Sequence, residues 1–186
     1  MKKTLFFLWE VFKIAVIALA IVMPIRYFLF QPFLVKGESM APNFGDGDYL
    51  IVDELSYRFR NPERGEIIIF NYTENSIQGI VKNRLIKRVI GLPGETIEIK
   101  EGKVSIYKDN EKQVLDESDY ISFLLKTSGN ILITLNEDEY FVLGDNRSFS
   151  KDSRVFGVVN EEEIIGKVFV RAWPLNDIEK FEAPSY

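Results

Sequence analysis

The chain begins with an apolar run that limits how its 186 residues can be arranged. Residues 5–30 contain only three charged side chains, Glu10, Lys13 and Arg26. A membrane-spanning helix needs roughly 20 mostly apolar residues, and this run supplies them. A cleaved secretory signal and a buried core helix are the other two interpretations. Small residues at 18–20 imitate a cleavage site, but the apolar run continues beyond them, which argues against removal.

A transmembrane anchor is the interpretation that we favour. The strictly uncharged part, residues 14–25, would by itself fit a buried or interfacial helix because it is short for a span. Extending it to residues 5–23 gives sufficient length, and Glu10 and Lys13 then share one helical face and can pair. Pro24 is expected to end the helix, because proline lacks the N–H that a helix needs.

The charges that flank the span suggest its orientation. Lys2 and Lys3 lie on one side, and Arg26 and Lys36 lie on the other. The balance leans towards an N-terminus in the cytoplasm. We therefore expect a single-pass protein of the cytoplasmic membrane, with a cytoplasmic tip and anchor at 1–30 and an extracytoplasmic domain at 31–186.

Beyond residue 30 the apolar pattern becomes that of β-strands. Eight runs have strand length and are bounded by turn residues: 49–52, 66–70, 85–90, 96–100, 103–107, 131–135, 139–143 and 167–173. Glu101-Gly102 has the composition of a two-residue hairpin turn. We predict a mainly β fold with an antiparallel sheet, in which residues 100–138 form a variable insertion or cap with a polar, irregular stretch at 109–130.

Composition excludes several classes of protein. The chain has no histidine and no cysteine. This removes Ser-His-Asp and Cys-His catalysis, disulfides, and metal sites built on those ligands. A net charge of −5 without a basic run argues against nucleic-acid binding. We expect no cofactor and no metal. An activated serine in such a chain needs another base, and a desolvated lysine is the usual substitute.

Lys87 is the candidate base. In an extended segment side chains alternate between faces, so Lys87 points the same way as Leu85 and Val89. Burial among apolar neighbours disfavours the ammonium form and can lower a lysine pKa by up to about 3 to 5 units. The structural alternative is a lysine that snorkels from an edge strand or pairs with a carboxylate.

Ser39 is the candidate nucleophile, within the segment GESMAP at 37–42. A Gly-x-Ser-x-x-Pro turn can expose the hydroxyl on a rigid backbone whose N–H groups face a developing oxyanion. The alternative is an ordinary polar turn, of which Pro42 and residues 43–48 are typical. The run 145–154 has a similar alternative, a charged loop with internal ion pairs.

Taken together, these segments resemble the bacterial type I signal peptidases, membrane-bound Ser/Lys endopeptidases that remove signal peptides from exported proteins. The resemblance covers most of the chain except residues 53–82 and 100–138. Its most specific segments are KRVIGLPGE at 87–95 and GDNR at 144–147. The others are the N-terminal span and residues 37–42, 47–48, 150–154, 157 and 166–168.

The resemblance implies a role for each matching residue. Ser39 would be the acyl-forming nucleophile and Lys87 its general base. The Ser150 hydroxyl would bond the lysine amine, while Asp152 would order the loop through Arg154. The other supporting positions are Asp145, Arg147, Met40 and Pro42.

The resemblance also implies a substrate, a signal peptide cut after a small-x-small site. Such a peptide could add as an extended strand between the segment before Ser39 and the strand before Lys87. The expected groove residues are Phe33, Val35 and Leu85. Expected partners are signal peptides of secreted preproteins and the lipid bilayer, with a location near the protein export channel.

Gly37 is the main departure from the family pattern, because some members carry a serine two residues before the nucleophile. The group that would complete the oxyanion hole besides the Ser39 N–H is therefore left open. Two other classes of protein also fit parts of the sequence. One is a membrane-tethered β module that binds peptides without cleaving them. The other is a soluble, self-cleaving Ser/Lys protein, which the apolar N-terminus disfavours.

Overall fold

A computed structural model describes residues 2–28, 30–76, 79–109, 111–122, 125–184 and 186. Its helices are α1 (Lys2–Phe28) and the single-turn α2 (Ser153–Phe156). Its strands are β1 (Phe30–Leu34), β2 (Tyr49–Asp53), β3 (Ile67–Ser76), β4 (Gly79–Gly91), β5 (Thr96–Lys100), β6 (Lys103–Lys108), β7 (Glu111–Val114), β8 (Ile131–Thr134), β9 (Glu139–Leu143), β10 (Val159–Asn160), β11 (Ile164–Trp173) and β12 (Glu179–Lys180).

The first helix has the length and composition of a membrane span. Its window Phe6–Met23 has a mean hydropathy of 2.3 and is not buried against the rest of the chain. Glu10 and Lys13 pair at 2.7 Å, as their spacing predicts. The expected stop at Pro24 is wrong, because the helix continues to Phe28. A proline removes one backbone hydrogen bond, and membrane helices tolerate that loss.

The chain beyond α1 forms two antiparallel sheets. The larger has the order β1-β2-β11-β3-β4-β9-β10, with β12 paired to β11, and the smaller has the order β7-β6-β5-β8. This confirms the predicted mainly β, antiparallel fold with one N-terminal apolar helix. The predicted hairpin turn joins β5 to β6, with Glu101 and Gly102 at φ 53° and 81°. Two positive φ angles are what a type I′ turn requires.

Four of the described strands were not predicted from the sequence, and two of them, β10 and β12, are only two residues long. β1 continues the apolar anchor, so no change of period announces it. β7 lies in the stretch expected to be irregular, and all four of its residues are exposed, so burial does not alternate along it. In addition, β3 and β4 run beyond the predicted segments 66–70 and 85–90. They form one long hairpin from the pair Ile67/Arg88 to the pair Ser76/Gly79.

The C-terminal half of strand β4, residues 85–91, packs in the core. Its residues Ile86, Val89 and Ile90 belong to three different apolar clusters and are at most 4% exposed. One of these clusters lies beneath the turn at 37–44, and another joins β4 and β9 to the smaller sheet. A side chain in this half of β4, such as Lys87, therefore projects from a backbone that the core holds in place.

Candidate active site

Ser39 and Lys87 meet although 48 positions separate them in the sequence. The Lys87 Nζ lies 2.8 Å from the Ser39 Oγ and also donates to the Ile86 carbonyl at 2.8 Å. Ser39 is half-buried, whereas Lys87 is only 2% exposed. The structure thus brings together the two residues to which the sequence analysis assigned the chemistry.

Burial gives the Lys87 amine the properties of a base. Desolvation lowers the pKa of Lys87 to about 8, and the charges of Asp152 and Asp145 only partly oppose this. Within the described part of the chain, neither carboxylate forms an ion pair with the amine, because each is paired with an arginine. At a pKa near 8 an appreciable fraction of the amine is neutral around pH 7 and can accept a proton.

A buried turn presents Ser39 at the surface. The Phe44 N–H donates to the Met40 carbonyl at 3.0 Å and closes the turn. The side chains of Met40 and Phe44 are 1% and 0% exposed and anchor the turn in the core, while Pro42 stays at the surface. Met40, a supporting position in the family resemblance, thus anchors the turn next to Ser39.

The Ser39 N–H is available as an oxyanion donor. Among the described residues it donates no hydrogen bond, whereas the Gly37 N–H is occupied by the Asp46 carboxylate at 2.7 Å. A free N–H next to the nucleophile is what stabilises the tetrahedral intermediate of acyl transfer. Gly37 in this arrangement does not supply the second donor.

Asn146 orients that donor, a role that the sequence analysis missed. Its Nδ2 donates to the Glu38 carbonyl at 3.0 Å, and its backbone N–H donates to the Ser39 carbonyl at 3.1 Å. The Glu38 carbonyl and the Ser39 N–H belong to one planar peptide unit, so fixing one end fixes the other. The specificity of the GDNR segment was the only signal in the sequence that could have indicated this.

Asp152 organises the loop at 144–154. Its carboxylate accepts two hydrogen bonds from the Arg154 side chain at 2.8 Å and one from the Gly144 N–H at 3.0 Å. Burial by itself would raise the pKa of Asp152, but these hydrogen bonds and the Arg154 charge lower it overall. The contact with Arg154 is the one that the family resemblance implies.

Ser150 lies beside the reacting groups, but its expected hydrogen bond to Lys87 is not formed here. The Ser150 Oγ is buried and has no hydrogen-bond partner among the described residues. It lies near Asp152 and contributes to lowering that pKa without reaching hydrogen-bond geometry. A Cβ at Gly144 would lie 2.1 Å from this oxygen and 2.5 Å from the Ser39 carbonyl oxygen. Gly144 is therefore required for the close approach of the loop to Ser39.

Asp145 and Arg147 each make an ion pair with a residue outside their loop. The Asp145 carboxylate accepts from Arg88 at 2.8 and 2.6 Å and from Asn43 at 2.8 Å. Arg147 donates to both carboxylate oxygens of Glu117, at 2.9 and 2.5 Å. Asp145 is 0% and Arg147 2% exposed, so each buried charge depends on its partner. Sequence reasoning assigned no role to Asn43, Arg88 or Glu117.

The expected substrate groove lies between β1 and β4. β1 is an edge strand, and residues 79–87 of β4 pair only with β3 among the described strands. Phe33 and Leu85 are half-buried, but Val35 is 2% exposed and belongs to the core cluster of Met40 and Ile86. Val35 can therefore contribute to the floor of the groove rather than to its open wall.

Two cavities in the described part of the chain, of about 370 and 250 Å³, have neither Ser39 nor Lys87 in their walls. Among the described residues, no group of three or more acidic side chains is placed to hold a metal ion.

Comparison with known proteins identifies relatives over most of the chain. Residues 8–173 match the family model described as signal peptidase, peptidase S26. The protein named "Probable signal peptidase I-2" from Synechocystis is 36% identical over 166 residues, which cover 89% of this chain and 73% of that protein. Signal peptidase IB of Staphylococcus aureus is 33% identical over 180 residues, which cover 88% of each chain.

A solved structure of a signal peptidase I from Enterococcus faecalis is also similar in sequence. It is 32% identical, and the match covers 58% of this chain and 97% of that one, with a TM-score of 0.44.

Proposed function

The chain belongs to the signal peptidase family of serine endopeptidases, and from this membership we propose that Ser39 and Lys87 form its catalytic dyad. As a member of that family it removes signal peptides by serine protease chemistry. The observation that carries the proposal is the 2.8 Å contact between a half-buried serine hydroxyl and a buried lysine amine without a carboxylate partner.

The dyad would act through an acyl-enzyme. The neutral Lys87 amine accepts the Ser39 hydroxyl proton while Oγ attacks the scissile carbonyl carbon, and the Ser39 N–H stabilises the oxyanion. The Lys87 ammonium then gives that proton to the leaving amine as the peptide bond breaks. A water molecule then attacks the ester carbonyl carbon while Lys87 accepts its proton. Lys87 passes that proton to the Ser39 Oγ as the ester bond breaks, and the signal peptide leaves with a new carboxylate.

The supporting residues would keep this geometry. Asn146 would hold the peptide unit that carries the Ser39 N–H, and Asp152 with Arg154 would hold the loop of Ser150. In the resemblance the Ser150 hydroxyl bonds the lysine amine. Its buried position next to Gly144, without another hydrogen bond in the described residues, leaves it available for that bond.

The substrate would bind as an extra strand in the groove between β1 and β4. Both strand edges have backbone groups to offer, and the Arg84 side chain reaches Gln31 of β1 at 3.5 Å, which places the edges near each other. Half-buried Phe33 and Leu85 would form shallow apolar pockets that admit small residues. This favours cleavage after small-x-small sites.

Membrane attachment would bring the site to its substrate. β1 starts two residues after the helix ends, so the groove stays close to the bilayer surface. The flanking charges favour a cytoplasmic N-terminus, which leaves residues 31–186 on the extracytoplasmic side. There the site would meet signal peptides beside the export channel.

The test is cleavage of a preprotein by the full chain in detergent, with three serine variants. Ser39→Ala should give no product. Ser150→Ala should lower kcat strongly and change KM little, because the hydroxyl orients the amine and does not touch the peptide. The exposed neighbour provides the control, so Ser148→Ala should match the wild type. A crippled Ser148→Ala beside a normal Ser150→Ala would show that the supporting residue is misassigned.

A further inference from the structure

Tyr120 lies in residues 115–122, outside the short motifs that carry the family resemblance, yet it contacts three residues that support the proposed dyad. Its carbonyl accepts from Asn43 Nδ2 at 2.8 Å. Its ring lies 4.0 Å beneath the Arg88 guanidinium. Its hydroxyl donates to Glu117 at 2.7 Å. The side chain is 7% exposed, so these contacts are made in the interior.

Each of those contacts leads to a different catalytic segment. Asn43 lies four residues after Ser39, on the nucleophile turn. Arg88 follows Lys87 directly on β4. Through Glu117, the tyrosine reaches Arg147 of the loop at 144–154.

The position of the Glu117 carboxylate matters because it is the charge partner of the buried Arg147. Arg147 is 2% exposed, and its Nε donates to the Gly144 carbonyl at 3.0 Å, so the guanidinium is built into the loop beside the dyad. A buried guanidinium without a carboxylate would leave an uncompensated charge, and the loop would have to move to solvate it. Glu117 therefore sets where the loop rests.

The Tyr120 hydroxyl fixes the orientation of that carboxylate. It donates to the same Glu117 oxygen that receives the shorter hydrogen bond from Arg147, and it accepts a hydrogen bond from the Tyr186 hydroxyl at 3.1 Å. Tyr186 packs against the apolar cluster of the smaller sheet. The chain of hydrogen bonds thus connects that sheet to the catalytic loop.

We propose that Tyr120 and Glu117 are positioning residues. They hold three segments at fixed separations: the turn at 37–44 that carries Ser39, strand β4 that carries Lys87, and the loop at 144–154. Residues 115–122 are then part of the catalytic apparatus rather than a cap over it. This positioning role rests on the proposed Ser39/Lys87 dyad, because the role explains how the distance between those two side chains is maintained.

The experiment compares two tyrosines that make the same kind of hydrogen bond. Tyr120→Phe removes the bond to Glu117 and keeps the ring under Arg88. Tyr107→Phe is the matched control, because the Tyr107 hydroxyl donates to Glu98 at 2.7 Å on the smaller sheet, outside the network. Both variants of the full chain are measured for kcat and KM on a preprotein, for melting temperature, and for amide hydrogen exchange.

Tyr120→Phe should lower kcat roughly tenfold with KM unchanged, as outer hydrogen-bond partners of functional groups do. The amides of Gly144 and Asn146, which donate to Asp152 and Ser39, should exchange faster. Tyr107→Phe should change neither. Glu117→Gln should repeat the Tyr120→Phe pattern more strongly.

The proposal is wrong if both tyrosine variants melt alike, keep the wild-type kcat and leave exchange at residues 144–146 unchanged. Hydrogen exchange does not depend on turnover. An inactive wild-type chain would count against the proposed dyad, while the exchange comparison would still decide whether Tyr120 holds the loop.

Discussion

Two neighbouring cations on β4 show how the same burial leads to opposite roles. Lys87 is 2% exposed and Arg88 4% exposed, on opposite faces of the strand. The Arg88 guanidinium has the Asp145 carboxylate at 2.6 and 2.8 Å and the Gly65 carbonyl at 2.9 Å. Among the described residues, the Lys87 amine contacts only a hydroxyl and a carbonyl oxygen. A buried amine without a counterion can lose its proton, whereas a buried guanidinium paired with a carboxylate stays charged.

The pKa values follow the same division. Burial lowers the pKa of Lys87 to about 8, against weaker opposition from Asp152 and Asp145. Burial also acts to lower the pKa of Arg88, but the hydrogen bonds and charge of Asp145 raise it overall. On one face of β4 burial disfavours the charged form of Lys87, and on the other face the Asp145 carboxylate stabilises the charged form of Arg88.

The largest effect is expected from removing the base. Lys87→Met should abolish cleavage while the fold persists, a loss on the order of 10⁶-fold like that of other serine hydrolases without their base. Lys87→Arg should fail as well, because a guanidinium stays protonated and cannot accept the serine proton. The measurement is single-turnover cleavage, with circular dichroism as the control for folding. Turnover by Lys87→Arg would mean that the cation acts without giving up its proton.

An added side-chain atom at Gly144, beside Ser39 and Ser150, should have the next largest effect. In Gly144→Ala the new Cβ would collide with the Ser150 side chain and the Ser39 carbonyl, so the dyad must shift. A displacement of about 1 Å in an active site can lower the rate roughly 100-fold. Gly45→Ala is the control, because a Cβ there meets nothing within 4 Å. Equal kcat values for both variants would contradict the close packing.

The acid limb of the rate profile should report the Lys87 amine. With a pKa of about 8, kcat/KM should rise with pH up to that value, and the rate at pH 6 should be about 100-fold below the plateau. Histidine cannot produce this limb because the chain has none. A limb centred near pH 4 would instead indicate a carboxylate.

Removing the charge partner of Arg88 should affect the free energy of unfolding more than the rate of cleavage. Asp145→Asn leaves the buried Arg88 without its counterion and should lower the free energy of unfolding by about 3 kcal/mol. The rate should fall less than tenfold, because Asp145 does not touch the reacting atoms. Denaturant unfolding and kcat/KM test this together.

An exposed pair provides the control for that stability loss. Glu98→Gln removes the surface ion pair with Lys112 and should leave the free energy of unfolding nearly unchanged, because solvent screens exposed charges. Equal losses for Asp145→Asn and Glu98→Gln would mean that burial adds nothing to the Arg88 pair.

The last expected effect, confined to alkaline pH, is a change of stability with pH. Since the folded pKa of Lys87 is lowered from 10.5 to about 8, the unfolded chain binds more protons between those values. The wild type should therefore gain stability as pH rises from 8 to 10.5. Lys87→Met lacks this titration. The free energy of unfolding of the wild type should therefore rise relative to that of Lys87→Met by up to about 3 kcal/mol across that window.

Thermal unfolding of the detergent-solubilised chain at several pH values measures this change. Lys108→Met, at an exposed lysine of β6, should parallel the wild type. Parallel curves for Lys87→Met and the wild type would show that the Lys87 amine is not desolvated.

Much of the fold could be predicted because its signals are local. The eight predicted strands overlap observed ones, and the Glu101-Gly102 turn has the required backbone angles. What failed had no local signal. β1 is hidden in the apolar anchor, β7 is exposed along its length, and α1 continues through Pro24.

The site divides in the same way. Ser39 and Lys87 could be singled out because composition left few alternatives and their segments resemble a family. Glu117 and Tyr120 could not, because nothing in their own segment indicates that they lie against Arg147 and Arg88.

The sequence by itself determined the period of the strands, the apolar anchor and the two side chains proposed to react, because those properties depend on residue type and on short segments of the chain. Only the tertiary structure decided that the Lys87 amine is buried without a counterion while its neighbour Arg88 has one. Lys87 and Arg88 are adjacent in sequence and equally buried, and the difference between them is a carboxylate that approaches one face of β4 from 57 positions away. Electrostatic environment depends on distance in space, so residue order alone does not contain it.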